Sequence, residues 1–338
     1  MTAAAGLPFI AVTSVSKRFD PQLSLGDRVA GALGGAVETR AVRAVQDVSL
    51  QLARGEVLGL VGESGCGKST LGRMIAGILP PTTGSVAIEG APVMSGGRRP
   101  RKRTTRVQMI FQDPYASLDP RMRIGEALAE GPIAHRLSTR DDAAAYVASW
   151  LRKVGLDPDA AQRYPHQFSG GQRQRIAIAR ALAMRPDVLV CDEPVASLDV
   201  SIQAQVLNLF LELRRALSLT MVFISHHLGV VRHVSDRVAI MYLGRIVEIG
   251  PAASIYDDPQ HPYTRALLAS VPQLALQDDA VATFTPIAGE LPSPLAPPPG
   301  CPFHQRCPLA QPRCRTQVPE MRPVGPQHAA ACHLLQAG

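Results

Sequence analysis

The sequence predicts an α/β chain, a parallel sheet alternating with helices, followed by a small irregular C-terminal extension. Three observations carry this. Short apolar runs alternate with helical periods between residues 57 and 225. A glycine-rich loop stands between one such run and the helix after it. Beyond residue 250 the periodicity fades and prolines gather, seven of them between positions 286 and 302.

A length of 338 residues suits one large domain plus an extension, and 46% hydrophobic content is ample for a core. The net charge of +7 permits contact with anionic surfaces. Much of the excess sits in Arg98-Arg99-Pro100-Arg101-Lys102-Arg103 and on to Arg106, which reads as a solvated loop, so no nucleic-acid partner is expected. No stretch reaches the roughly 18 apolar residues of a membrane span. Residues 1–12 lack a basic region and are broken by Pro8, so no secretory signal is expected and the setting is taken as cytosolic and reducing.

In chain order, residues 9–19 read as a strand ending at Phe19, and 21–40 as a loop. Residues 42–52 alternate as a half-buried strand and 57–61 form a continuous apolar one. A helix over 71–79 would place Leu71, Met74, Ile75 and Ile78 on one face. Strands are expected at 85–89 and 107–111, then mainly helix over 121–160 with the single Trp150. A helix ending at Met184, a strand at 187–191, a helix at 202–217 and a strand at 220–225 follow. After a short helix beyond His227, 238–242 and 245–249 read as paired strands, and regular structure thins out from Pro251.

The glycine-rich loop is Gly62-Glu63-Ser64-Gly65-Cys66-Gly67-Lys68-Ser69-Thr70. Strand, loop and helix in that order is the setting of a P-loop. Its glycines let backbone N–H groups turn toward phosphate oxygens, and the helix N-terminus adds positive potential. Lys68 can reach the β- and γ-phosphates, and the Ser69 hydroxyl can ligate Mg²⁺. A nucleoside triphosphate is therefore expected here. A second half-site is Val188-Leu189-Val190-Cys191-Asp192-Glu193, an apolar strand that ends in two carboxylates. In such sheets ligands lie at the carboxyl ends of strands. Asp192 is placed to hold Mg²⁺, and Glu193 to polarise the water that attacks the γ-phosphate.

Between the two lies Phe168-Ser169-Gly170-Gly171-Gln172 at the start of a helix. Here the sequence resembles the ATP-binding cassette (ABC) ATPases, whose signature is Ser-Gly-Gly-Gln. The resemblance implies a P-loop NTPase cassette with an inserted helical subdomain. It also implies that Ser169, Gly170, Gly171 and Gln172 face ATP held by a partner's P-loop. Phe19 matches the aromatic that stacks on adenine, and Gln112 the glutamine that senses Mg²⁺ and the attacking water. Ser197-Leu198-Asp199 matches the loop crossing the dimer interface, and His226 the switch histidine. One departure is His227, where the family commonly has Asp; that position bears on local geometry rather than chemistry.

The resemblance narrows to the oligopeptide/dipeptide importer ATPases, and to the F-type of its two subunits. It rests on Gln112-Asp113-Pro114-Tyr115-Ala116-Ser117-Leu118-Asp119-Pro120-Arg121, on Tyr164-Pro165-His166-Gln167-Phe168-Ser169 and on His261-Pro262-Tyr263-Thr264. The insertion before Val42 and the Phe168 opening of the signature point to the F-type. The resemblance implies an ATP-binding domain over 8–250, its helical subdomain at about 113–185, and a C-terminal extension over 251–338. Implied partners are a second ABC ATPase subunit, two membrane permeases and, indirectly, an extracytoplasmic solute-binding protein. Implied cofactors are ATP and Mg²⁺, and the implied location is the cytoplasmic face of the membrane, peripherally. Residues 113–125 are expected to meet a short permease helix, with Tyr115 and Leu118 as apolar anchors.

Four cysteines, Cys301, Cys307, Cys314 and Cys332, fall within the last 38 residues, separated by five, six and seventeen residues. In a reducing setting such clustering argues for a metal over disulfides. The spacing matches neither common zinc patterns nor the ferredoxin runs. Zinc, an iron–sulfur cluster and four reduced thiols stay open on the residues alone; some members of the resembled group carry a [4Fe–4S] cluster in this region. Two rivals from other classes are poorer fits. A DNA-repair ABC ATPase would show a long insertion between the P-loop and Asp192, and a translation-factor ABC protein would normally carry two cassettes. A weakly hydrolysing partner cassette would usually have lost Glu193 or His226.

Overall fold

The computed structural model describes residues 8–21, 41–97, 99–115, 117–270 and 287–335. Two sheets form the frame. β1 (Ile10–Phe19) and β2 (Val42–Leu52) pair antiparallel, with Ile10 opposite Leu52. β4 (Thr83–Ile88) and β5 (Ala91–Pro92) complete this smaller sheet in the order β2-β1-β4-β5. The larger sheet contains β3 (Val57–Val61), β6 (Val107–Ile110), β7 (Val188–Asp192), β8 (Thr220–Ile224), β9 (Arg237–Tyr242) and β10 (Arg245–Pro251). β6, β7, β8, β3 and β9 run parallel, and β10 turns back against β9. Every residue of β3, β7 and β8 is buried, as expected for parallel strands covered on both faces.

The period-two alternation of these strands divides the interior. Leu58, Leu60, Val190, Val222 and Met241 face the smaller sheet and α1 (Lys68–Ile75). Val57, Val61, Leu189, Phe223 and Ile240 face the opposite cluster. That cluster also packs α2 (Ile124–Ala134), α3 (Ala143–Lys153), α4 (Gly170–Ala183) and α5 (Val200–Leu217). Trp150 is buried there with Ile124, Leu128, Leu151 and Ile176. The next helix, α6 (Leu228–Val234), lies against β3.

α1 corrects one expectation. It spans Lys68–Ile75 and stops early, so Ile78 is 47% exposed rather than on its apolar face. Gly77 adopts φ +67, and the Ile78 N–H donates to the Arg73 carbonyl at 2.9 Å. This six-to-one bond with a left-handed glycine is a helix-ending motif. The loop expected over 21–40, with the insertion before Val42, lies outside the described residues apart from Pro21 and Ala41 at its ends. Within the basic run, Arg106 is not free: it pairs with Glu89 at 2.8 Å and with Asp187.

The tail is more regular than its sequence suggests. α7 (Ala252–Asp257) and α8 (Pro262–Ala269) follow β10, then β11 (Arg322–Gly325) and β12 (His328–Ala330). β12 pairs with β10 through Glu248 opposite Ala330, so the larger sheet ends in the order β11-β12-β10. Strands this short, with two alanines in the three residues of β12, carry no readable alternation. The tie is polar. Glu248 is fully buried, accepts from the Gln260 and His261 N–H groups at 2.7 and 2.9 Å, and meets His328 Nε2 at 2.8 Å. Each of these groups would be costly to bury alone.

His261 caps α8 by accepting the Tyr263 N–H on Nδ1 at 3.0 Å. Burial pushes this imidazole down to about 4, from the usual 6.5. It is thus neutral in the fold but charges at higher pH in the unfolded chain. The stability it contributes is present above the unfolded pKa, on the order of 3 kcal/mol, and is lost as pH falls from 6.5 toward 4. Melting temperature should therefore fall more steeply over that acid range for the native chain than for His261→Asn, whose amide can still cap the helix. Equal slopes would remove His261 from the acid response.

Candidate active site

The P-loop takes its shape from close backbone packing. A Cβ on Gly62 would lie 2.2 Å from the Met241 carbonyl oxygen. One on Gly67 would lie 2.1 Å from the Ala44 carbonyl oxygen, and Gly67 sits at φ +107, where a side chain is strained. The loop is thereby pressed between β9 and β2 at the carboxyl end of β3. The Lys68 side chain is buried and its Nζ donates to the Gly62 and Glu63 carbonyls at 2.7 and 2.9 Å. Ser64, Gly65, Gly67, Lys68, Ser69 and Thr70 line a cleft of about 370 Å³. Phe19 stands in its wall, 41% exposed, beside Val42 and Ala44. Gly62, Glu63 and Cys66 shape the loop from behind; burial pushes the Cys66 thiol upward.

The other wall comes from β7 and from Gln112, just beyond β6. Ser69 Oγ donates to Asp192 Oδ1 at 2.8 Å. A hydroxyl beside a carboxylate is a hard oxygen pair, the donor type Mg²⁺ takes together with phosphate and water oxygens, so these residues fit that ion. Burial raises the Asp192 carboxyl, and the Ser69 hydrogen bond opposes this. The next residue, Glu193, is held at φ +47 while its N–H donates to the Ile224 carbonyl at 2.9 Å. A non-glycine residue there costs on the order of 1–3 kcal/mol and needs surrounding structure to hold it. Its carboxylate lies between Gln112 Nε2, 3.0 Å from Oε2, and His226 Nδ1, 3.1 Å from Oε1. Gln112, Glu193 and His226, far apart in sequence, thus meet at one carboxylate. His227 donates its backbone N–H to Ser225 Oγ at 3.0 Å, a contact that does not involve its side chain.

The signature residues lie elsewhere. Ser169 caps α4: its Oγ accepts the Gln172 N–H at 3.3 Å, and its own N–H donates to Gln172 Oε1 at 3.0 Å. A Cβ on Gly171 would lie 2.5 Å from Ile202 Cγ2, so that glycine lets α4 approach the start of α5. Asp199 is the residue just before α5, next to Val200, which is 83% exposed. None of Ser169, Gly170, Gly171, Gln172 and Asp199 lines the cleft.

The C-terminal extension reaches the P-loop, which no sequence pattern foretold. Arg306 forms a two-bond pair with the Glu63 carboxylate, at 2.7 and 3.1 Å. Tyr263 Oη accepts the Glu63 N–H at 3.1 Å. Pro294 accepts the Arg43 N–H at 3.2 Å and lines the cleft near Phe19. Tyr263 was legible only as part of a motif, and an arginine between cysteines gives no sign of burial. Cys301, Cys307, Cys314 and Cys332 border one small pocket with His261, Phe303 and His304, and all four are free thiols. Burial pushes the Cys301 thiol up to about 11 and raises Cys307 and Cys332. Among the described residues no group of three or more His, Cys, Asp or Glu side chains is arranged to hold a single metal ion.

Comparison with known proteins agrees with this geometry. The family profile described as ABC transporter matches residues 45–196, and that described as oligopeptide/dipeptide transporter, C-terminal region, matches residues 247–314. The di/tripeptide transport ATP-binding protein DppF of Pseudomonas aeruginosa (strain UCBPP-PA14) is 53% identical over 86% of this chain and 90% of its own. The oligopeptide transport ATP-binding protein AppF of Bacillus subtilis (strain 168) is 46% identical over 99% of each chain. Among solved structures, cbiO1 from Clostridium perfringens, described as part of the ABC transporter complex cbiONQ, shares 25% identity with a TM-score of 0.58. It covers 74% of this chain and 91% of that one. With an ABC ATPase fold, a P-loop cleft and these relatives, the chain belongs to the ATP-binding proteins of the oligopeptide/dipeptide ABC transporter family.

Proposed function

We propose that this chain is the ATP-hydrolysing subunit that energises an importer of oligopeptides or dipeptides across the cytoplasmic membrane. The observation that carries it is the Glu193 carboxylate, held by Gln112 and His226 at the edge of the P-loop cleft. In this reading Lys68 and the loop N–H groups bind the phosphates, while Ser69 and Asp192 hold Mg²⁺, which neutralises charge on the phosphates. Glu193 polarises the attacking water, and His226 and Gln112 orient it around that carboxylate. Phe19 takes the adenine. The cleft lacks the signature of its own chain, which supports a head-to-tail pair in which a second cassette supplies Ser169, Gly170, Gly171 and Gln172, with Asp199 at the interface. The remaining partners are two permeases and, through them, an extracytoplasmic binding protein. No helix of the described residues is long and apolar enough to cross a membrane. The chain would sit peripherally on the cytoplasmic face, as an ATP-binding domain over 8–250 (helical subdomain about 113–185) and an extension over 251–338.

Of the two expected permease anchors, Tyr115 is 41% exposed and stays available, and Leu118 does not. Leu118 is 3% exposed and belongs to the interior, so it offers nothing to a partner. A groove of about 910 Å³ also runs between β6 and helices α2 and α4, with Phe111, Gly131, Ala177, Ala181 and Met184 along it. Small residues on its floor, with the charged side chains of Lys102, Arg103, Glu130 and Arg180 around it, suit a short amphipathic helix laid across it.

The tail thiols have the soft donor chemistry of an iron–sulfur centre, with Cys301, Cys307, Cys314 and Cys332 as ligands. A cluster spreads its cysteines over different irons, so it needs thiols around a shared pocket rather than closed on one ion. When bound it would supply folding energy to a segment with little core of its own.

Three outcomes check these readings. Glu193→Gln should retain ATP binding but lower turnover by roughly 10²-fold or more, and should trap an ATP-bound pair on size exclusion; near-normal turnover would sink the assigned role. Ala134→Glu, at the groove's rim, should abolish peptide uptake in reconstituted vesicles while ATPase activity persists, whereas normal uptake would place the permease elsewhere. Protein purified without oxygen should be brown with about four iron and four sulfide per chain. Stoichiometric zinc, or four freely alkylated thiols, would overturn the cluster.

A further inference from the structure

The C-terminal extension holds the P-loop from outside through Glu63. Arg306, its side chain 5% exposed, sets Nη1 2.7 Å from Glu63 Oε2 and Nη2 3.1 Å from Oε1. Such paired guanidinium–carboxylate bonds are both strong and directional. Arg306 is itself fixed, donating from Nε to the Ala288 carbonyl at 3.1 Å and from Nη1 to Tyr242 Oη at 3.4 Å. From the same side Tyr263 Oη accepts the Glu63 N–H. The Glu63 carbonyl, in turn, accepts the Lys68 ammonium at 2.9 Å. One residue thus joins Arg306 and Tyr263 to the lysine that meets phosphate.

The outer end of this chain of contacts is the turn that carries two of the pocket cysteines. Arg306 precedes Cys307, and Phe303, 1% exposed, lies in the same turn. The Phe303 ring is 5.3 Å from those of both Tyr242 and Tyr263. A displacement of the turn therefore moves Arg306 and the aromatic group that seats Tyr263.

We infer that Arg306 and Tyr263 are positioning residues for ATP, so that the turn carrying Cys301 and Cys307 is energetically coupled to the nucleotide site. The inference rests on reading the P-loop cleft as that site. Two effects give it a sign. With Arg306 in place, the Glu63 charge is neutralised beside the phosphate loop. Without it, that carboxylate repels the incoming phosphates and competes with them for the Lys68 ammonium; among the described residues Glu63 makes no other ion pair. Coupling is reciprocal, so bound ATP must steady the turn by the same factor.

The test is equilibrium ATP titration with Mg²⁺ in a Glu193→Gln parent, which prevents turnover. Arg306→Ala should raise the ATP Kd by roughly tenfold. Adding Glu63→Gln should return most of that loss, since the uncompensated charge is gone, giving strong non-additivity between contacting residues. Tyr263→Phe, which keeps the ring and removes only the acceptor of the Glu63 N–H, should weaken ATP binding with the melting temperature little changed, and serves if Arg306→Ala does not fold. Saturating ATP should slow hydrogen exchange across residues 301–307 in the parent and not in Arg306→Ala. A purely structural Arg306 would lower the melting temperature without altering ATP affinity or this exchange, and that result overturns the inference. A parent that binds no ATP overturns the nucleotide reading and the inference with it; a parent that binds ATP no better than Arg306→Ala or Tyr263→Phe overturns the inference alone.

Discussion

Leu60 of β3, Ile224 of β8 and Asp192 of β7 stand level across three neighbouring parallel strands. Parallel pairing sends all three chains out of the sheet on the same side, where each delivers its reactive group within a few residues. β3 opens into the P-loop, β7 ends at Asp192 and Glu193, and β8 runs on to His226. The carboxyl ends of such strands form the natural crevice of an α/β sheet. A slip of one residue in any of these pairings would turn the alternate buried faces over and separate Ser69 from Asp192. The register is held by burial on both faces: Leu58, Leu60, Val190 and Val222 enter one core cluster, while Val61, Leu189 and Phe223 enter the other.

That division also explains why the P-loop and the signature occupy two distant places. α1 and the small sheet cover one face and fix the P-loop, with Phe19 at its mouth. The helices between β6 and β7 cover part of the other, and the last of them begins at the signature. Ser169 and Gln172 complete each other's hydrogen bonds at the helix start, leaving the two glycines between them without side chains. An anion would find bare N–H groups there, yet the cleft of the same chain does not extend to them. The fold thus separates the P-loop cleft from the signature at the start of α4.

The extension is bound to the cassette by polar groups that burial makes obligatory. Glu248, in the last strand of the cassette, gathers two backbone N–H groups and His328 from the tail. Glu63, in the P-loop, gathers Arg306 and Tyr263. Between these two carboxylates lies the aromatic cluster of Tyr242, Tyr263 and Phe303, all with almost no exposure. A proline-rich segment with few apolar residues gains its order by attaching to surfaces the cassette already presents.

Much of the catalytic half was legible in the sequence because its signals are local. A glycine-rich loop after an apolar strand, or an acidic pair at a strand end, has a fixed chemical meaning wherever it occurs. Resemblance then added Phe19, Gln112 and His226, which no local rule assigns. The tertiary structure alone decided how these groups meet: the Glu193 carboxylate between Gln112 and His226 joins three segments that are distant in the chain. It also decided that Leu118 is interior and Ile78 exposed, since the first depends on which face of the helical subdomain closes and the second on where Gly77 ends a helix. The attachment of the tail was least legible. β11 and β12 are too short to show a period, and Glu248, His328, Glu63 and Arg306 read as ordinary charged residues until burial forces each to find its partner.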